Sequence, residues 1–152
     1  MFRVGGRPLC FHNVMLTLPS SENGSFLVRT SFTDDEPWID LLTFVLTENQ
    51  DGFRAYVRAI DDKAWDGASW EQVREAALTA NNNAAVLFIV DRPALGTGYP
   101  IQVIDLHVEL RHPFRCIATE LWGVDNNLNI SNMDWEDFSE STDDEGVFRG
   151  FS

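Results

Sequence analysis

Cysteine and lysine are scarce in this chain of 152 residues, which has two cysteines and, among eleven basic residues, the single lysine Lys63. Cys10 lies in a glycine- and proline-containing arm and Cys116 inside the apolar run Phe114-Arg-Cys-Ile-Ala118, so no disulfide framework is expected. Positive charge is short as well. Eleven Lys and Arg against twenty-four Asp and Glu give a formal net charge of -13. Such a molecule repels phosphate backbones and anionic headgroups, which argues against nucleic acid and membrane surfaces as partners. No apolar run approaches the roughly 18 residues of a membrane span. The opening Met1-Phe-Arg-Val-Gly-Gly-Arg-Pro8 has neither an apolar h-region nor a small-residue cleavage site, so a cytoplasmic location is expected. Phosphate-cradling loops, zinc-spaced cysteines, nucleophile elbows and dinucleotide fingerprints are also missing, and Gly96-Thr-Gly98 lacks the rest of its motif. No cofactor is expected.

What is abundant is apolar and aromatic bulk: 44% hydrophobic residues, with eleven Phe and five Trp. That suits one globular domain with a sizeable core. Residues 1–24 read as an arm with at most one short strand around Val14 to Leu18, and residues 25–152 as the domain. Ser25 to Phe32 predicts a strand by its β-branched and aromatic content. A helix follows, opened by a Thr33/Glu36 capping box, with Trp38, Leu41, Leu42 and Val45 forming one apolar stripe. Phe53 to Ile60 predicts a second strand. A Ser69/Gln72 capping box opens a second helix, which ends at Asn81-Asn82-Asn83. Ala84 to Val90 is apolar throughout and predicts a central strand covered on both faces. Strands over Ile101–Leu110 and Phe114–Ala118, joined by Arg111-His-Pro113, predict a hairpin, and Asn132 to Glu140 a short helix. The expected fold class is α/β, or mixed α+β, with a single mixed sheet of about five strands and three helices.

Glu120-Leu-Trp-Gly-Val-Asp-Asn-Asn-Leu-Asn-Ile-Ser-Asn-Met-Asp-Trp-Glu-Asp-Phe138 and Gly146-Val-Phe-Arg-Gly-Phe151 resemble the closing stretch of a family of short acidic actinobacterial proteins of unknown function. Leu27 to Trp38 and Phe53 to Val57 are similar to that family too. The resemblance implies a bacterial, cytosolic, single-domain protein, and it brings no substrate, cofactor or catalytic residue.

Four constellations carry candidate chemistry or binding. Asp125, Asn127, Asn129 and Glu136 occupy positions 1, 3, 5 and 12 of a calcium-loop spacing, but position 6, where a glycine is needed, is Ile130. The alternative is an asparagine-rich turn with Asn132 capping the last helix. Asp105, His107 and Glu109 alternate along one predicted strand and could offer a metal site or a proton-transfer dyad for a metal-assisted hydrolase. Their alternative is the solvated side of a half-buried strand. Cys116 with His107 or His112 could form a thiol nucleophile and base, against the plainer reading of a core cysteine. Last, Asp134, Glu136, Asp137, Glu140, Asp143, Asp144 and Glu145 crowd the tail around Trp135, and Asp34, Asp35, Glu36 and Asp40 form a second acidic group. The leading expectation is a non-enzymatic acidic protein that binds a basic protein partner, as an immunity protein or antitoxin would, through Asp134, Trp135, Glu136, Asp137, Glu140, Asp143, Asp144 and Glu145. A nucleic-acid mimic would draw on the same charge.

Overall fold

The computed structural model describes residues 10–11, 14–20, 24–80, 83–109 and 111–151. The first nine residues of the arm, His12-Asn13, Ser21-Glu22-Asn23, Asn81-Asn82, Leu110 and Ser152 lie outside the described residues. The arm holds two short strands where at most one is expected: β2 (Val14–Met15) pairs antiparallel with β1 (Cys10–Phe11). The main sheet begins with three parallel strands, β3 (Ser25–Arg29), β4 (Val57–Ile60) and β5 (Val86–Val90), with β3 in the middle. β6 (Pro100–Asp105) runs antiparallel to β5, and β7 (Phe114–Ile117) antiparallel to β6. β8 (Val147–Phe148) closes the edge parallel to β7, so the order is β4-β3-β5-β6-β7-β8. The expected mixed sheet is present, with six strands in place of about five.

The helices are α1 (Asp35–Leu46), α2 (Trp70–Thr79), α3 (Leu121–Asn129) and α4 (Trp135–Ser139). Strand alternation divides the apolar residues between two cores. Leu27, Val86, Phe88 and Val90 face α1, α3 and α4, meeting Trp38, Leu121, Val124, Trp135 and Phe138. Phe26, Val28, Leu87 and Ile89 face the other way, onto Trp65, Leu18 and the α2 residues Val73 and Ala77. β5 is therefore covered on both sides, which is why its run is apolar at every position. Each fully buried Phe in these layers contributes about 1.5–3 kcal/mol.

Several boundaries differ from the sequence expectation, each for a local reason. β3 stops at Arg29, and α1 is capped by Asp34, whose Oδ1 accepts from the Glu36 amide at 3.1 Å, so Thr33 is not the cap. The second strand is shorter than Phe53–Ile60, starting only at Val57. β6 ends at Asp105 because the Asp105 carboxylate accepts from the amides of His107 (2.7 Å) and Val108 (3.2 Å), turning the chain. The Ser69/Gln72 capping box forms as expected, with reciprocal bonds of 3.0 and 3.2 Å. The largest correction is at Leu121–Asn129, where the expected turn is a helix. Leu121, Val124 and Leu128 bury one stripe, while Asn127 and Asn129 donate back to the carbonyls of Gly123 and Asp125, four residues earlier. α4 is shorter than expected and is capped at Asp134. Asn132 instead donates to Asn127 Oδ1 at 2.8 Å.

Candidate functional site

The end of β6 disperses the Asp105, His107 and Glu109 set. Asp105 is buried and occupied by two backbone amides and by Arg111 Nη1 at 3.1 Å, while His107 and Glu109 stand exposed in the turn beyond the strand. Among the described residues, no three His, Cys, Asp or Glu side chains converge to hold a metal ion. Arg111 also reaches Glu136 at 3.1 Å and lies over the Trp135 ring, so it ties the β6–β7 turn to α4. That connection joins two candidate groups that the sequence keeps apart. Cys116 is sealed in the core. Burial, helped by the nearby negative charge of Glu120, pushes its thiol well above the usual range, which removes the thiolate a nucleophile needs.

The calcium-spaced residues do not share one ring of ligands, because Asp125, Asn127 and Asn129 lie on a helix and Glu136 on the next one. Asp125 and Asn129, four apart, point together into the sheet. Asp125 Oδ2 accepts from the Tyr56 amide at 2.8 Å and Oδ1 from Asn129 Nδ2 at 2.9 Å. Asn129 Nδ2 also reaches Ser25 Oγ at 3.0 Å, and its Oδ1 accepts from the Ala85 amide at 2.8 Å. One turn of α3 thus satisfies polar groups at or just before the starts of three parallel strands. Only 2% of Asp125 is exposed. Desolvation raises its pKa to about 6 against hydrogen bonds from Tyr56, Ser25 and Asn129 that pull it down. The i, i+4 spacing of Asp125 and Asn129 is the sequence signal that marks this pair.

Above that network a cavity of about 460 Å³ opens at the N-terminal edge of the sheet, walled by Tyr56, Asn83, Ala84, Asn126 and Ile130 with Asp125 behind them. Gly24 borders it at a φ of 80°, and a Cβ there would stand 2.6 Å from the Tyr56 carbonyl oxygen, so only glycine lets the two backbones approach.

The acidic tail separates by residue type. Trp135 and Phe138 go into the core, Trp135 edge-on to Phe114 at 4.8 Å and Phe138 edge-on to Phe148 at 5.2 Å. Asp134, Glu136, Asp137, Glu140, Asp143, Asp144 and Glu145 all remain exposed. Arg111 pairs with Glu136, and Arg149 pairs with Asp143 at 2.7 Å and Glu145 at 3.8 Å. Asp137 accepts from the Asp134 amide at 2.8 Å and so fixes the start of α4. Among the described residues no cation pairs with Asp134, Asp137, Glu140 or Asp144. Trp135, expected at a binding surface, is therefore an anchor that holds the acids in place.

A mixed α/β sheet with a helix-stapled N-terminal edge and an acidic, core-anchored tail defines the class of domain. The chain belongs to the family described as domain of unknown function (DUF6924), whose model matches residues 24–151. The match begins at Gly24, so the arm lies outside it. No curated protein matches the chain. No helix among the described residues is long and apolar enough to cross a membrane.

Proposed function

We propose that this is a non-enzymatic binding protein of the bacterial cytoplasm that captures a basic protein partner on the acidic surface of its terminal segment, as an immunity protein or antitoxin does. The observation that carries this reading is the division of labour in residues 134–148: the aromatic side chains are spent on the core, and all seven acids face solvent on the anchored frame. Anchoring lowers the ordering cost of association, and a fixed patch of one sign steers an oppositely charged partner and sets its salt dependence. Among the described residues, Asp134, Asp137, Glu140 and Asp144 have no internal cation to give up on binding.

Affinity capture from the host's lysate tests it, with the immobilised chain compared at low and high salt and the eluate identified. Glu140→Lys with Asp144→Lys is the variant of choice, because Asp134 and Asp137 also hold the start of α4. A single basic protein retained at low salt, released by high salt and lost in the double variant is the expected result. Equal retention by the variant overturns the reading. Identity of the captured protein as a nucleic-acid-binding protein would move the role to mimicry of a nucleic acid.

A further inference from the structure

We propose that the cavity at the N-terminal edge of the sheet is a binding site for a small organic cation of the primary-amine class, with Asp125 as its counter-ion and Tyr56 and Ile130 as its apolar walls. Three features carry it. The volume, about 460 Å³, is that of a small-molecule site and would take a ligand the size of an aromatic amine. Its walls include two large side chains that the fold leaves uncovered: Ile130 is 72% and Tyr56 54% exposed. Both lie beside a buried carboxyl group, and an apolar rim over a few convergent polar groups is how such sites are built.

The charge of the lining selects the ligand. Among its described residues Asp125 is the sole ionisable group apart from the Tyr56 phenol; the others are amides, glycine or apolar. With no cation in the lining, phosphates and carboxylates find nothing to bind. Asp125 itself is held by neutral donors alone, the Tyr56 amide and the Asn129 and Ser25 side chains, so its buried charge lacks an opposite charge. A carboxylate has about four lone-pair sites, and these three donors leave one for a ligand N–H. The Arg54 guanidinium lies 4.5 Å from the centre of the Tyr56 ring and takes up one of its faces, so the ring serves the ligand as an apolar wall. The Asn83 and Asn126 amides supply acceptors for the remaining ammonium hydrogens.

This site is independent of the acidic tail and can fail or stand without it. The test is a nuclear magnetic resonance titration of the full chain with benzylamine, set against neutral benzyl alcohol of the same shape. Benzylamine should shift the backbone amides of Tyr56, Asp125, Asn126 and Ile130, with benzyl alcohol at least about tenfold weaker. An amine binds the ionised carboxyl, and that fraction grows from roughly one tenth at pH 5 to nine tenths at pH 7 for a group titrating near 6. Benzylamine affinity should therefore rise about tenfold over that interval while that of the alcohol stays flat. The groups that face Asp125 from every packed element are the Ser25 hydroxyl, the Tyr56 amide and the Asn126 and Asn129 amides, none of which titrates in this range. Asp125→Asn should remove the amine preference. Because Asp125 also ties α3 to the sheet, Ile130→Arg at the exposed rim is the second variant, expected to weaken benzylamine severalfold without loss of folding. Equal binding of amine and alcohol, no shifts at millimolar benzylamine, or unchanged affinity in Ile130→Arg would each overturn the proposal.

Discussion

β3 has a buried charge at each end, and the two are treated in opposite ways. At its C-terminal end Arg29, whose side chain is 2% exposed, meets Asp35 at 2.8 Å and Asp61 at 3.2 Å. It also donates to the carbonyls of Ser31 and Asp34 and lies 4.3 Å from the Phe32 ring centroid. At the N-terminal end Asp125 is equally buried and meets only neutral donors. The cation is compensated by opposite charge and its guanidinium fork is filled; the anion is only solvated, by amides and a hydroxyl. Removing the first should leave an uncompensated hole, whereas titrating the second should change stability with pH.

The largest expected effect comes from breaking the compensated end. Arg29→Ala strips the partners from two carboxylates and two carbonyls and opens a void beside Trp38, a loss of about 3–5 kcal/mol by analogy with broken buried pairs. In a chain of this size each kcal/mol moves the melting temperature by about 2–4 °C, so calorimetry should show a fall of at least about 6 °C. A fall of under about 2 °C would mean that Arg29 is not a hub. Arg29→Lys keeps the charge but loses the fork, and should recover only part of the loss.

Next in size is the uncompensated end. Asp125 titrates near 6 when folded against an ordinary 3.8. The folded chain holds this proton more tightly than the unfolded one. The resulting advantage is complete below about pH 4 and is lost as pH rises through about 6. Its full size is about 3 kcal/mol. Denaturant unfolding at a series of pH values, comparing the natural chain with Asp125→Asn, isolates this group from the other carboxylates. The difference between the two curves should change with pH between about 4 and 6, and a parallel pair of curves would contradict it.

How much of this was legible in the sequence depends on the range of the forces involved. The Ser69/Gln72 box, the α1 stripe and the all-apolar β5 are local patterns, and each forms where it was expected. α3 was not legible, because asparagines favour turns in a short peptide and only long-range partners override them. Asn129 spends its amide on Ala85 and Ser25, 44 and 104 residues away in sequence. β8 is two residues long and pairs parallel with β7, too short to show any period. At the candidate sites, the acids of the tail could be read directly, but not that Trp135 would turn inward or that Arg111 would bridge Asp105 and Glu136. Nothing in the local sequence marks Arg29 as a hub.

Asn129→Leu sharpens the comparison at the neutral end. It keeps the helix and the approximate volume while withdrawing donors from Asp125 and Ser25 and an acceptor from the Ala85 amide. Unsatisfied buried groups of this kind cost about 1–3 kcal/mol, and more if Asp125 stays ionised, so the variant should be hurt more at pH 7 than at pH 4.5. Equal losses at both values in urea unfolding would show that Asn129 acts only by packing.

The smallest effect belongs to a single acid at the compensated end. Asp35 is 78% exposed, so water competes for its charge although its partner is buried. Asp35→Asn retains a hydrogen-bond acceptor for Arg29 and leaves the bond to Asp61 intact, and exposed pairs are worth under about 1 kcal/mol. The expected melting shift is therefore under about 4 °C at low ionic strength, shrinking with added salt as the field of the exposed acid is screened. The loss from Arg29→Ala should barely depend on salt, since the stripped carbonyls and the void are not screened. If Asp35→Asn cost as much as Arg29→Ala, the pairing would be all-or-none, with Asp61 and the carbonyls unable to hold the guanidinium by themselves. A small, salt-sensitive loss beside a large, salt-insensitive one would instead establish that Arg29 is held by many partners, each of which is individually dispensable.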